Sequence, residues 1–280
     1  MQSDGGEDVF ELGRVATLRR YPVKSMLGED IIESDVTTSG LVGDRVVALV
    51  DVETGHVATA KHPKAWRYLL GFGARWSDGT IQITTPAGVT VSVEDRDADQ
   101  TLSDLLHRPV HLSHVRPERA AVARPAPEDV IAEGEDADVP YEMLEIGHGT
   151  PGSTFVDYAA VHIITSTTLA EIGAEMVRYR PNIVLSTPGS TPFSENDWPG
   201  REIVIGEVRL RVLIPTPRCA VPTLAHGELP RRTDAVQRVL NANRINVPGF
   251  GVLPCLGAYA EVVSGGTIAL GDVASLGEEV

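Results

Sequence analysis

Along the first hundred residues the apolar positions come in short runs, cut by turn residues before a helical face can develop. Val15-Ala16-Thr17-Leu18, Val46-Val47-Ala48-Leu49-Val50, Ile81-Gln82-Ile83 and Val89-Thr90-Val91-Ser92-Val93 read as strands. Asp78-Gly79 and Ala87-Gly88 supply turns beside them. One short helix is predicted at residues 101–106, where Thr101 and Asp104 have capping-box spacing. This section, about residues 14–115, is therefore expected to be mainly β.

The pattern then changes. Between Glu128 and Glu145 there are eight acidic residues and no basic one, preceded by Arg124-Pro125-Ala126-Pro127. Such a stretch has little apolar surface to bury, which predicts an acidic linker or long loop over residues 116–150. Residues 151–280 return to order. Ala160-Val161-His162-Ile163-Ile164 has a buried-strand pattern and leads through Thr165-Ser166-Thr167 into a predicted helix at 168–179. Thr168 and Glu171 have capping-box spacing there, and Leu169, Ile172 and Met176 share one face. Strands are predicted at 183–185, 202–206 and 208–214, a helix at 233–243, and strands again at 259–263 and 267–276. There is no internal repeat. The fold class expected is a β-rich α+β protein, barrel-like, with a few helices against its ends.

Composition adds limits to this outline. The chain has 280 residues, 42% of them hydrophobic, and no apolar run of membrane-spanning length, so no membrane span is expected. Its net charge of −15 argues against nonspecific binding to nucleic acid or anionic membrane. A local basic pocket for a small anion remains compatible with that charge. The opening MQSDGGEDVFELG is acidic and polar, unlike a secretory signal, and reads as a frayed tail on a cytoplasmic protein. Two cysteines, Cys219 and Cys255, are too few to staple a chain of this length; a reducing compartment would leave them as thiols.

Four segments carry candidate chemistry. In Tyr21-Pro22-Val23-Lys24-Ser25-Met26, a stiff turn can aim the Lys24 ammonium and the Ser25 hydroxyl at one anion; the bland alternative is an exposed lysine in an ordinary turn. In Gly40-Leu41-Val42-Gly43-Asp44-Arg45, Arg45 offers a planar fork of donors, or merely pairs with Asp44 at a strand start. The third segment joins Thr165-Ser166-Thr167, where backbone N–H groups and hydroxyls form an anion site at a helix start, to Arg180 as a second clamp; the bland alternative is that Thr167 or Thr168 merely caps the helix. His162 reads as a core histidine. In the fourth, Pro215-Thr216-Pro217-Arg218-Cys219-Ala220-Val221-Pro222-Thr223, prolines predict a rigid loop, and Arg218 beside Cys219 favours the thiolate required for nucleophilic attack or soft-metal ligation, the alternative being an inert buried cysteine. Cys255 reads as packing, and no His/Cys spacing makes a zinc site.

YPVKSM, GLVGDR, VHIITSTTL, RYRPNIVL, PRCAVPT and GAYAEVVSGGTIALGD stand in this order over residues 14–276. In that order they resemble MOSC proteins with an N-terminal β-barrel region, similar to the mitochondrial amidoxime-reducing component and its bacterial relatives. The resemblance implies a MOSC-type barrel at 151–280 behind a barrel-like region at 14–115. It also implies a molybdenum–molybdopterin cofactor, its metal bound by the pterin dithiolene and Cys219. Lys24, Ser25, Arg45, Thr165, Ser166, Thr167, Arg180, Arg218 and Tyr259 match the cofactor-holding positions. Two departures bear on the substrate side: where relatives follow the cysteine with Thr-Thr and an acidic residue, Val221-Pro222-Thr223-Leu224-Ala225-His226 has Pro222 and no matching acid, and Pro217 replaces a polar residue.

The activity implied is reduction of small N-hydroxylated or N-oxide-type molecules by oxygen-atom transfer to molybdenum. Electrons would come from a separate donor protein of the ferredoxin or flavoprotein-reductase class. His226 is a candidate proton donor, weighed against an exposed loop histidine. Two other functions are open: a cofactor or sulfur carrier using a Cys219 persulfide, and a MOSC scaffold used for chemistry without molybdenum.

Overall fold

The computed structural model describes residues 10–147 and 150–279. Residues 1–9 of the expected frayed tail lie outside the described residues. Phe10 to Gly13, assigned to the same tail, instead begin an eleven-residue strand, Phe10–Arg20. Leu12, Val15 and Leu18 pack into the main core, and the ladder with Val273–Glu279 carries the strand back to the exposed Phe10.

Seven strands close on themselves. In spatial order they are Val161–Thr165, Ile183–Ser186, Phe10–Arg20, Val273–Glu279, Arg201–Ile205, Val208–Pro217 and Gly251–Ser264, the last pairing back onto the first. Closure removes the exposed sheet edges of an open structure. The expected β-rich α+β barrel is thus present, with few and peripheral helices. Alternation explains the register: along Val208–Pro217, Val208, Leu210 and Val212 point into the barrel core, while Arg211 reaches Glu202 at 3.0 Å and Glu261 at 3.3 Å outside. Val15, Leu18, Ile163, Ile183, Leu210 and Ala260 are among the side chains of this core. Burying each of the larger ones contributes about 1.5–3 kcal/mol.

The barrel therefore draws a strand from the N-terminal section as well as from 151–280. A second core, drawn from Val23 to Val110, is that section's own. It includes the hairpin Gly73–Ser77 with Thr80–Thr84, turned at Asp78 and Gly79, both with positive φ as a tight hairpin requires. The helix there is Ala98–Leu106, starting three residues before the predicted one and entered from Asp97, with no capping bond from Thr101.

The acidic segment is not a linker. Ala121–Pro125 and Tyr141–Glu145 pair antiparallel, with the helix Pro127–Glu133 between them. Pro127 starts that helix and Glu128 and Asp129 lie in its first turn, where negative charge suits the dipole. Three of the remaining acids find cations elsewhere on the chain: Asp136 meets Arg67 at 2.5 Å, Asp138 meets Lys64 at 3.1 Å, and Glu135 meets Arg231 at 3.2 Å. Composition alone misreads the segment because its counter-charges are distant in sequence.

Two other expectations are corrected. The helix predicted at 168–179 is Ser166–Ile172, stopped by Gly173 in the left-handed region and followed by a 3-10 turn, Met176–Arg178. The strand before Cys219 runs through Pro215 and Pro217, because register shifts in its ladder with Gly251–Ser264 remove the need for their missing N–H groups.

Candidate functional site

The cavity lies where the barrel meets the N-terminal section, and its volume is about 270 Å³. Seven residues singled out from the sequence line it together: Lys24, Ser25, Arg45, Arg180, Arg218, Cys219 and Tyr259. They come from separate places in the chain, so the fold is what assembles them.

Lys24 sits in the turn after the first strand, its N–H bonded to Val47 O at 2.9 Å. Its ammonium is buried and donates to Phe155 O at 2.8 Å and Asp157 Oδ1 at 2.6 Å. Burial draws its pKa down to about 8 against the opposing pull of Asp157. Lys61 reaches the other oxygen of Asp157 at 3.1 Å. Burial alone would raise the Asp157 carboxyl, but Lys24 and Lys61 hold it well below the usual carboxylate range. Ser25 Oγ accepts from Ala60 N–H at 3.0 Å.

Asp44 is an anchor for this turn rather than a ligand. It is buried, accepts from Tyr21 N–H at 2.7 Å and pairs with Arg45. Gly43 before it has φ 85°, and a Cβ there would lie 2.3 Å from Trp76 Nε1, so only glycine fits the approach. The Tyr21 ring lies between two guanidiniums, Arg45 at 4.8 Å and Arg180 at 4.3 Å from its centroid. Arg180 also donates to Met26 O at 2.8 Å. Burial, followed by the neighbouring charge of Arg45, lowers its pKa to about 10.

On the opposite side, Arg218 follows the strand Val208–Pro217. It donates through Nη2 to Tyr179 O at 2.9 Å, while its buried Nε has no protein partner. Cys219 is half-buried and packs against Ala60, Leu70, Val221 and Leu224. Behind the loop, fully buried Arg178 donates to Leu224 O at 2.9 Å and Pro230 O at 2.8 Å, with Pro222 O at 3.4 Å. Pro222 lies in a 3-10 turn, Val221–Thr223, so the departure after the cysteine is accommodated by local backbone. Cys255 is buried, with its thiol pushed up to about 12 by burial, consistent with packing.

The cavity lining carries six cationic side chains, Lys24, Arg45, Lys61, Arg124, Arg180 and Arg218, against the carboxylates Glu145 and Asp157. A positive pocket in a chain of net charge −15 calls for an anionic ligand. Ser25, Arg45 and Arg180 also have positive φ, at 64°, 50° and 58°. Backbone held in this region costs energy and concentrates at binding and catalytic sites.

Thr165, Ser166 and Thr167 are not among the residues that line this cavity. Thr165 caps its helix and donates, through N–H at 2.7 Å and hydroxyl at 2.9 Å, to buried Glu195. Ser166 accepts from Thr187 N–H at 3.2 Å, and Thr167 donates to Thr187 O at 2.9 Å. His226 is corrected too. It is buried rather than exposed, has its pKa lowered to about 4 by burial, and lies outside the cavity lining.

His162 is a core histidine that also lines the cavity; burial and then Arg218 hold its pKa well below the usual value. Gly257, φ 79°, has no room for a Cβ, which would lie 2.8 Å from His162 Nε2. Sequence reasoning missed Lys61, Asp157 and Arg124. A lone acid ahead of a buried strand, in Phe155-Val156-Asp157-Tyr158, was the available signal for the second.

Comparison with known proteins now bears on this arrangement. A profile of the MOSC N-terminal beta barrel domain matches residues 12–122, and one of the MOSC domain matches residues 150–275. The chain is a MOSC-domain protein. It is 24% identical to mitochondrial amidoxime-reducing component 1 of Homo sapiens over 303 residues, covering 94% of this chain and 82% of that protein. The Mus musculus counterpart gives 24% identity over 302 residues, with coverage of 94% and 82%. Likeness to a solved structure, the YUAD protein from Bacillus subtilis, has a TM-score of 0.42 and 11% identity over 96% of this chain and 94% of that one. In this MOSC protein the N-terminal match supplies Lys24, Ser25, Arg45 and Lys61, and the second match supplies Arg180, Arg218 and Cys219. Among the described residues no helix is long and apolar enough to cross a membrane.

Proposed function

We propose that this protein is a molybdenum-cofactor oxidoreductase that reduces small N-hydroxylated or N-oxide-type compounds. The observation that carries the reading is the convergence of one cysteine thiol with a cluster of cations in a single cavity. The donor set suits the group. A dithiolene-bound metal needs a soft sulfur ligand, which Cys219 supplies, and a pterin phosphate needs cations and N–H donors. The unpartnered Nε of Arg218 is a donor of that kind. Lys24, Ser25, Arg45, Arg180 and Arg218 would hold the anionic part, with Tyr259 against the ring system.

Bound there, the cofactor supplies two-electron chemistry at an oxygen atom. The balance for a hydroxylamine is RNHOH + 2 e⁻ + 2 H⁺ → RNH₂ + H₂O. The chain's residues orient the cofactor, neutralise it and restrict access to the cavity. Electrons would arrive from a separate donor protein of the ferredoxin or flavoprotein-reductase class. The names of the amidoxime-reducing relatives favour such a substrate.

The test is metal and pterin analysis of wild type and Cys219→Ala from a cofactor-competent host, followed by turnover of hydroxylamines with a chemical reductant. Stoichiometric molybdenum and pterin in the wild type, altered in the variant, with amine formation, is the expected result. Tight cofactor binding without turnover would move the reading to a carrier. A wild type free of metal and pterin would remove molybdenum chemistry.

A further inference from the structure

We propose that the outer part of this cavity is a vestibule selective for planar aromatic N-oxygenated compounds bearing an anionic substituent, with Phe250, Tyr158 and Arg124 as its specificity residues. This rests on the reductase reading and names the substrate class within it.

Four rings run in a row. His162 is 4% exposed, and its ring centroid is 5.4 Å from that of Tyr259. Tyr259 is 5.8 Å from Tyr158, and Tyr158 meets Phe250 edge-on at 5.7 Å and 77°. Phe250, at the other end, is 44% exposed. The row therefore passes from the buried interior to solvent, and all four residues line the cavity. Phe250 owes its position to the turn after the strand Arg244–Val247, where its N–H bonds Val247 O at 2.9 Å. A large apolar ring half in water at a cavity rim is stabilised when a planar ligand covers it.

The acidic-segment hairpin adds wall residues of different character. Val122 and Leu144 are opposite each other on its ladder and both line the cavity, giving an apolar surface. Arg124 is two residues beyond Val122, on the same face of its strand. It stands directly across from Glu142, yet makes no ion pair or side-chain hydrogen bond with any described residue. Lys24, Lys61, Arg45, Arg180 and Arg218 each have a protein partner; Arg124, another cation of the lining, has none among the described residues. An aromatic row, an apolar wall and an uncommitted guanidinium select a flat ligand with a carboxylate or similar anion on its ring.

The test is ligand binding without turnover. Acetamidoxime, benzamidoxime and 4-carboxybenzamidoxime are titrated into the purified holoprotein in the absence of reductant, with calorimetry and saturation-transfer NMR as readouts. Affinity is expected to rise in that order. Phe250→Ala should bring benzamidoxime down to the level of acetamidoxime, a loss of roughly three- to tenfold. Arg124→Gln should remove the advantage of the carboxylate and leave benzamidoxime unchanged. Tyr158→Leu should act as Phe250→Ala does, and thermal melting and pterin content check that each variant is folded and loaded.

An affinity order that the variants leave intact, in a protein that does reduce these compounds, overturns the vestibule and leaves the reductase reading standing. The expected order with no reduction supports the vestibule and overturns the reductase reading. Loss of pterin in Arg124→Gln assigns that arginine to the cofactor and overturns its proposed role.

Discussion

Two parts of this molecule look alike in sequence and end differently: the helix entrance at Thr165-Ser166-Thr167 and the cation cluster around Lys24. Both offer donors for an anion. At the helix entrance the chain provides its own, because buried Glu195 accepts from the backbone and hydroxyl of Thr165 and, through its other oxygen at 2.7 Å, from the hydroxyl of Thr168. The Thr168 hydroxyl is engaged further by Phe193 N–H at 2.7 Å. Around the cavity, the internal anion Asp157 takes Lys24 and Lys61, while among the described residues the Arg180 guanidinium has a backbone carbonyl and the Tyr21 ring but no carboxylate within ion-pair distance, and Arg218 keeps a buried Nε unpartnered. A donor set is a binding site when the fold leaves its donors unanswered. It is a structural joint when the fold answers them.

The largest effect expected from this contrast is at the joint. Glu195→Ala leaves buried donors on Thr165 and Thr168 without an acceptor, and such orphaned groups cost about 1–3 kcal/mol each. Denaturant unfolding should show a loss on the order of 3–5 kcal/mol, with sulfate affinity unchanged in protein made without cofactor. A variant that keeps its stability but binds sulfate more weakly would place the anion site at the helix entrance after all.

The sequence was readable to different depths for physical reasons. Strand alternation and turn residues carry the barrel, since the period of two and tight hairpins are local properties. The cavity residues were readable as motifs because a proline-flanked Lys24, an Asp44-Arg45 pair and an Arg218-Cys219 pair are each local arrangements. Glu195 was not readable as the partner of Thr165, thirty residues away and placed by a 3-10 turn, Ser194–Asp197. The same reason hid the acidic hairpin, whose charges look unanswered until Arg67, Lys64 and Arg231 are brought to them. Arg178 reads as one more polar residue of a helix, yet it is fully buried behind the cysteine loop.

A smaller effect is expected at the cavity, where the charge of Lys24 can be titrated. Its ammonium is intact below about pH 8, the value to which burial lowers it, and is lost as pH rises further. A bound dianion stabilises the ammonium, so binding takes up a proton in this range and affinity must fall with rising pH. Sulfate keeps one charge throughout, and its affinity for the cofactor-free protein should fall roughly fivefold between about pH 7 and 9.5. Lys24→Arg, which does not titrate there, should flatten the profile. A wild-type profile already flat would remove Lys24 from the anion site.

The smallest effect separates the two regions most finely. Thr167 donates to Thr187 O at 2.9 Å and lies near the hydroxyls of Thr187 and Ser190 at 3.0 and 3.1 Å, so its polar group is answered within the fold. Thr167→Val keeps the side chain's shape and removes that hydroxyl. The expected cost is about 1 kcal/mol in unfolding free energy, the net worth of an ordinary hydrogen bond, with no change in sulfate affinity or in cofactor content. Since Thr167 matches a cofactor-holding position by resemblance, a fall in pterin content at unchanged stability would mean that the resemblance located a contact the cavity geometry leaves out. A fall in stability alone would mean that, at this position, the hydroxyl serves the joint with Thr187.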